Sequence, residues 1–301
     1  MDYVNEIEFH NKNNKISSLY PFLPVVRWFV YVLLKVLNIR TKSFVFVATT
    51  GRSGTQSLAA AVNELDGAQS HHEPFPIMYT PEAFQTTSAS TKTQYFKRLF
   101  ELKKRLYIRK SSVGVKTYLE TNHLFIKNFS NFVIKEFGSK LKVIHLVREP
   151  QKVAQSFFEI NSIPGSTKWG KAWLIDPRSE NNLINIDYSH LANDEMEQNF
   201  LHCLWYWYET QARFLAFSQQ HPNVPVFTIK TPELNDPDRI KLLNQFLGYS
   251  ANLVEAQIGK RKNLKKGRKK SLLAQERYEQ LSTEMDALFR ANVPSKFLYQ
   301  I

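Results

Sequence analysis

Short apolar runs closed by turn residues alternate along this chain with longer stretches of helical period. Residues 44–47 are a continuous aromatic and β-branched run that stops at Thr49, Thr50 and Gly51. Its brevity, apolarity and closing turn predict a buried strand. Leu58, Ala59, Ala60 and Ala61 follow behind Thr55 and Ser57 and predict a helix. Residues 143–147 form a second buried run. It ends at Arg148, with Pro150 suited to a first helical position. Residues 113–117 predict another short strand ending at Lys116 and Thr117, with Glu120, Thr121 and Asn122 opening a helix over 123–137. A further strand is predicted over 224–229. Helices are predicted over 193–220, over 236–247 with Gly248 as the stop, and over about 271–290. Residues 81–110 read as a loop and then a basic helix. Residues 161–190, rich in Gly, Pro, Asn, Asp and Ser, read as a long irregular lid or acceptor-binding segment.

Strands of continuous apolar character alternating with helices predict an α/β fold, with a mainly parallel central sheet flanked by helices on both faces. Three parts are expected: an N-terminal segment over 1–40, a core over 41–250, and a basic segment with a C-terminal helix over 251–301. Residues 1–20 are polar and are expected to be poorly ordered. Residues 21–39 are the most hydrophobic stretch, interrupted by Arg27 and Lys35. The uninterrupted part, 28–34, falls far short of the roughly 20 residues of a spanning helix. It reads either as a helix packed on the domain or as an interfacial helix in peripheral contact with a membrane, with Trp28, Phe29 and Tyr31 near the headgroups.

Two stretches carry candidate chemistry. Over residues 43–61 a strand, a Gly-containing turn and a helix start follow one another. That order leaves main-chain N–H groups unpaired around a concave point where an anion can sit. The nucleoside triphosphate form of such a loop needs Gly-x-x-x-x-Gly-Lys-Ser/Thr. Here the interval from Gly51 to Gly54 is too short, and Gln56 follows Thr55 where a Lys would be needed. The candidate anion-binding residues are Arg52, Ser53, Gly54, Thr55, Gln56 and Ser57. Over residues 141–159, Arg148 stands at a strand end and Ser156 eight residues later. A guanidinium and a hydroxyl so spaced can hold one phosphate from two sides. Glu73 precedes Pro74, so it sits on a turn, after what reads as a second short strand. Turns of this kind line the crevice at the carboxyl ends of an open α/β sheet.

In this order the two stretches resemble the 5′-phosphosulfate loop and the 3′-phosphate motif of sulfotransferases that use 3′-phosphoadenosine 5′-phosphosulfate (PAPS). The resemblance covers roughly residues 43–248 and implies the P-loop-like sulfotransferase fold. It implies in-line transfer of a sulfuryl group to a hydroxyl or amine, without a metal. It gives Ser53, Gly54, Thr55, Gln56 and Ser57 the donor, and Arg148 and Ser156 its 3′-phosphate. Arg52 takes the leaving charge, with Lys116 as a second cation. Glu73 is the implied general base. It lies 21 residues after Arg52, a separation similar to that in protein-tyrosine sulfotransferases, and its Glu-Pro resembles that of carbohydrate sulfotransferases. His71 and His72 compete for the role. Cytosolic small-molecule sulfotransferases place a His after a Lys-Thr, but Tyr118 follows Lys116 and Thr117 here, a departure from that branch.

The net charge of +13 is mostly local. Residues 260–270 hold eight basic residues and no acid, which leaves +5 for the rest. A second basic cluster spans residues 97–110. Both suit anionic partners such as the nucleotide, an acidic glycan or phospholipid headgroups; nucleic acid is not an expected partner. The single cysteine, Cys203, excludes an internal disulfide and favours a reducing, cytoplasmic setting. With the hydrophobic stretch, this tilts the expected acceptor towards a carbohydrate or lipid-linked one. Two other classes fit the sequence less well. A P-loop small-molecule kinase lacks its Gly-Lys-Ser/Thr. A non-catalytic polyanion- or membrane-surface-binding protein leaves both phosphate motifs without a purpose.

Overall fold

The computed structural model describes residues 23–78, 91–250 and 272–299. In chain order the described elements begin with α1 (Leu23–Leu37), β1 (Ser43–Ala48), α2 (Thr55–Val62), β2 (Ala68–His72), α3 (Thr91–Ser111) and β3 (Thr117–Thr121). After a π-helical turn over Phe125–Phe129 come α4 (Ser130–Phe137), β4 (Leu141–Val147), α5 (Pro150–Glu159) and α6 (Lys168–Trp173). The series ends with α7 (Glu195–Gln220), β5 (Val226–Lys230), α8 (Pro237–Leu247) and α9 (Gln275–Asn292).

The five strands form one parallel sheet in the order β2-β3-β1-β4-β5. Every residue of β1 is buried, as its continuous apolar run requires of a central strand. The period of two sends Phe44, Phe46 and Ala48 to one face and Val45 and Val47 to the other. On the first face they meet the π-turn, α4 and Phe214 and Phe217 of α7. On the second they meet Leu58, Ala61 and Val62 of α2 and Ile240, Leu243 and Leu247 of α8. A third core joins α5 and α7 to Tyr278, Leu281, Met285 and Phe289 of α9. The aromatic run Trp205-Tyr206-Trp207-Tyr208 is buried there, as its helical setting led one to expect.

The expected helices over 193–220 and 236–247 match α7 and α8 closely. Asp194 caps α7 by accepting from the Glu197 N–H, and Asp236 caps α8. The segment over 161–190 is irregular except for α6 and a short turn. At Gly170 of α6 an added Cβ would overlap the carbonyl of Ile163, so only glycine allows this close approach.

The third strand corrects the sequence reading. It runs over Thr117–Thr121, not 113–117, so Lys116 precedes it at the amino-terminal edge of the sheet. Glu120 and Thr121 belong to the strand rather than to a helix start. Asn122 caps the turn that follows, its Oδ1 accepting from the Leu124 N–H at 3.0 Å. A carboxylate inside a buried strand is tolerated because it is paired. Lys104 Nζ lies 2.6 Å from Glu120 Oε1, with both side chains 0% exposed. Tyr118 Oη and Asn122 Nδ2 donate to the same carboxylate.

The hydrophobic stretch forms α1, which rests on α3 and is held through Tyr31. The Tyr31 hydroxyl donates to Glu136, which also takes Arg105 and Arg109. Most of its apolar side chains are exposed, Trp28 by 59% and Phe29 by 62%. No described helix is long and apolar enough to cross a membrane. Residues 1–20, the loop over 81–90 and the basic run over 260–270 lie outside the described residues.

Candidate active site

Each of the five parallel strands ends at the rim of one cleft of about 1040 Å³. The turn after β1 brings Gly51, Arg52, Gly54, Thr55, Gln56 and Ser57. Three of its residues need left-handed backbone: Gly51 (φ 84°), Arg52 (φ 58°) and Gly54 (φ 89°). Such conformations cost a non-glycine residue energy and gather at ligand sites. Gly54 is the N-cap of α2, and an added Cβ would come to 3.1 Å from Leu234. The N–H groups of the first turn of α2 thus face the cleft with the positive end of the helix dipole.

Ser53 differs from its neighbours. Its side chain is buried, donating to the Gly51 carbonyl at 2.9 Å and lying 3.2 Å from Thr50 Oγ1. It braces the loop from within and does not line the cleft. The loop is also held from behind. Tyr206 Oη donates to the Thr50 carbonyl at 2.8 Å, and Thr231 Oγ1 to the Ser53 carbonyl at 2.9 Å.

The turn after β4 supplies Arg148, whose main-chain carbonyl accepts from Trp207 Nε1 at 2.8 Å. Arg148 Nη1 donates to the Arg52 carbonyl at 2.6 Å, and Arg52 Nε donates to Ser156 Oγ at 2.9 Å. The two sequence motifs, some hundred residues apart, therefore meet in one wall. Lys152 lines the same wall and pairs with Glu149 at 2.6 Å.

The turn after β2 carries Glu73, also in left-handed backbone (φ 47°). Its N–H donates to the Thr121 carbonyl at 3.2 Å, and Lys104 Nζ donates to the Pro74 carbonyl at 3.1 Å. The buried ion pair of the sheet thereby fixes the Glu73 turn. Burial raises the Glu73 carboxyl above the ordinary glutamate range, although His72 and Lys127 oppose the rise.

Strand alternation separates the two competing histidines. His72 lines the cleft with Nδ1 3.0 Å from Thr121 Oγ1. His71 points to the opposite face, where its Nδ1 meets Tyr107 Oη at 3.0 Å. Lys116 is not brought to the cleft either. Its ammonium donates to the Gly248 carbonyl and sits 4.1 Å above the Tyr249 ring, at the other end of the sheet. The role expected of it at the leaving charge does not fit this position.

Among the cleft residues that escaped the sequence reading, one adjoins Glu73. His123 follows the carboxyl end of β3 and lines the cleft, with Nε2 3.5 Å from Glu73 Oε1. Its ring stacks on Trp173 (centroids 5.5 Å, 23°). Burial holds its pKa well below the ordinary histidine value, with Lys127 and His72 adding to the effect. The signal was present: a histidine two residues past a strand, hidden by placing that strand four residues too early. Trp169, 60% exposed, stands one helical turn from Trp173 on the outer lip.

The site fits a doubly phosphorylated nucleotide such as PAPS. A helix N-terminus, Arg52, Arg148 and Ser156 line a cleft large enough for a nucleotide. The sulfotransferase domain family matches residues 42–292. Similar solved structures include a sulfotransferase domain of the curacin biosynthetic pathway (11% identity, 85% of this chain and 94% of that one, TM-score 0.44). A second is a sulfotransferase from Alicyclobacillus acidocaldarius (14%, 84% and 96%, 0.42). A third is mouse sulfotransferase SULT7A1 complexed with PAP (17%, 88% and 90%, 0.43). No curated protein sequence matches the chain. With the family match spanning most of its length, the chain belongs to the sulfotransferase domain family and is a PAPS-dependent sulfotransferase.

Proposed function

We propose that this enzyme moves the sulfuryl group of PAPS to a hydroxyl of a carbohydrate or lipid-linked acceptor, with Glu73 as general base. The observation that carries the reading is the meeting of Arg52, Arg148 and Glu73 at the rim of one cleft. Bound PAPS supplies the sulfuryl group and a phosphate leaving group. Glu73 Oε takes the acceptor's hydroxyl proton while the acceptor oxygen forms its bond to sulfur and the bond from sulfur to the phosphate oxygen breaks. Arg52 and the N–H groups at the start of α2 hold the charge that develops on that oxygen. A preorganised cation in such a place is worth several kcal/mol, on the order of the effect of an oxyanion-hole donor. Arg148 and Ser156 hold the far phosphate. A carboxyl raised by burial suits the base, because proton transfer is most efficient when the pKa nears the working pH.

Support for a sugar-bearing acceptor comes from Trp169 and Trp173, four residues apart on α6, which turn two indoles to the outer cleft. Flat aromatic faces suit the apolar faces of pyranose rings. The test is transfer of labelled sulfate from PAPS to glycans, lipid-linked glycans, phenols and peptides in parallel. Labelled glycan is expected; label appearing solely on phenols or peptides would remove the acceptor assignment.

A second reading concerns location. We propose that α1 lies in the interface of an anionic bilayer. Trp28, Phe29, Leu33 and Val36 are exposed on a helix without an acidic residue, and Lys35 lies beside them. Exposed apolar surface of this kind marks an interaction site. Vesicles containing phosphatidylserine should sediment the full chain, and the double substitution Trp28→Ser with Phe29→Ser should abolish it. Equal sedimentation of both proteins would remove the reading.

A further inference from the structure

Lys127 does not touch the cleft, yet it has an unusual set of neighbours. It sits half-buried in the π-turn, four residues after His123. Its Nζ lies 2.9 Å from the Trp173 carbonyl, 2.8 Å from Tyr206 Oη and 2.8 Å from His123 Nδ1. Tyr206 spends its own proton on the Thr50 carbonyl, so towards Lys127 its oxygen accepts. The Trp173 carbonyl can only accept. An ammonium has three N–H groups and no lone pair. It satisfies all three neighbours, provided that His123 Nδ1 carries no proton.

We infer that Lys127 is a positioning residue that fixes the tautomer of His123, keeping Nδ1 bare and the proton on Nε2. That proton then faces Glu73, 3.5 Å away, and the space where the acceptor hydroxyl must lie. His123 is thereby a donor and Glu73 the only proton acceptor of the pair. A neutral amine would reverse the arrangement. It has two N–H groups for three neighbours, and its lone pair would require a donor that only a Nδ1–H imidazole supplies. The Nε2 atom would then be bare and would compete with Glu73 for the proton. The identity of the base is thus set by a lysine outside the cleft. Burial, the largest influence, lowers the Lys127 pKa well below the ordinary lysine value and Arg213 adds to the fall, while Glu73 favours the charge, as do the two oxygens that accept from Nζ.

The catalytic consequence rests on the sulfuryl-transfer reading; the tautomer does not. The test is ¹⁵N NMR of the full chain labelled at histidine, with His123→Gln identifying the signals. The expected spectrum shows His123 protonated at Nε2 and bare at Nδ1. In Lys127→Met, which keeps the bulk and removes the donor, the Nδ1 signal should move towards a tautomer mixture. Its kcat should fall by about ten- to a hundredfold, the range for a misplaced catalytic group, with PAP affinity kept within about twofold. Nδ1 protonation in the unaltered chain overturns the inference. So does a Lys127→Met spectrum with the His123 signals unmoved. Should Lys127→Met fail to fold, the spectrum of the unaltered chain still decides. The expected spectra combined with no sulfate transfer to any acceptor would sink the functional reading and leave the tautomer standing.

Discussion

Arg148 Nη1 donates a hydrogen bond to the main-chain carbonyl of Arg52 at 2.6 Å, so the second phosphate motif is tied to the backbone of the first. One guanidinium therefore holds the loop of the first motif and, on the proposed reading, also binds the far phosphate. Replacing it removes a charge and loosens the loop that presents Arg52.

Arg148→Ala should accordingly weaken PAP binding by about 2–3 kcal/mol, or roughly 30- to 160-fold, the scale of charge-assisted hydrogen bonds. Calorimetric titration measures it. A loss below about twofold would mean that Arg148 does not hold the nucleotide.

Glu73 gives a pH signature. A base acts as the carboxylate, so kcat/KM should fall as pH drops through the raised Glu73 pKa, above the ordinary glutamate range. Glu73→Gln should lower kcat by about 10²- to 10⁴-fold and abolish that acid limb, with PAP affinity nearly intact. The stability sign follows from the same shift. The folded chain holds this proton more tightly than the unfolded chain. Its contribution is fullest at low pH, declines as pH rises from the ordinary glutamate value to the raised one, and is a constant penalty above. At neutral pH the Gln variant should therefore melt higher than the unaltered enzyme. A lower melting point, or an acid limb that survives, contradicts the assignment.

The pair of Lys104 with Glu120, wholly removed from solvent, should behave as a buried ion pair. Glu120→Gln leaves an ammonium without its counter-charge and should cost about 3–5 kcal/mol in urea unfolding. Lys104→Met combined with Glu120→Leu should cost less than Glu120→Gln alone, because no unpaired charge remains. A double variant that costs the sum of its singles would show that the two residues do not interact.

Lys116→Ala should leave PAP affinity and kcat within about twofold, because its contacts are with Gly248 and Tyr249. Stability should fall by about 1 kcal/mol, the worth of one hydrogen bond with a cation–π contact. A collapse of activity would restore the role that the sequence suggested and the fold withdraws.

The parts of this molecule that show in its sequence are those that local chemistry fixes. β1 is a continuous apolar run and β4 is apolar apart from Lys142 and His145, both have turn residues behind them, and both candidate phosphate motifs sit directly after them. Arg52 and Arg148 were therefore visible together. β3 was not visible, because its burial depends on a partner elsewhere in the chain. Glu120 reads as a polar break until Lys104, sixteen residues earlier on another element, is seen to neutralise it. That one misreading moved Lys116 into the cleft and hid His123. The Ser53 hydroxyl is hidden for a different reason: a hydroxyl inside a motif can face inward, and only the loop's backbone angles decide. The exposure of α1 was open in the sequence between two alternatives, since a helix apolar on most sides carries no stripe to name its covered face.

The central claim is that one cleft grips both ends of an adenosine bisphosphate. Calorimetric titration of the full chain with PAP and, separately, with ATP and magnesium tests it most directly. The account predicts one PAP site per chain, with ATP binding at least tenfold more weakly. ATP binding tighter than PAP, or no PAP binding at all, would contradict it.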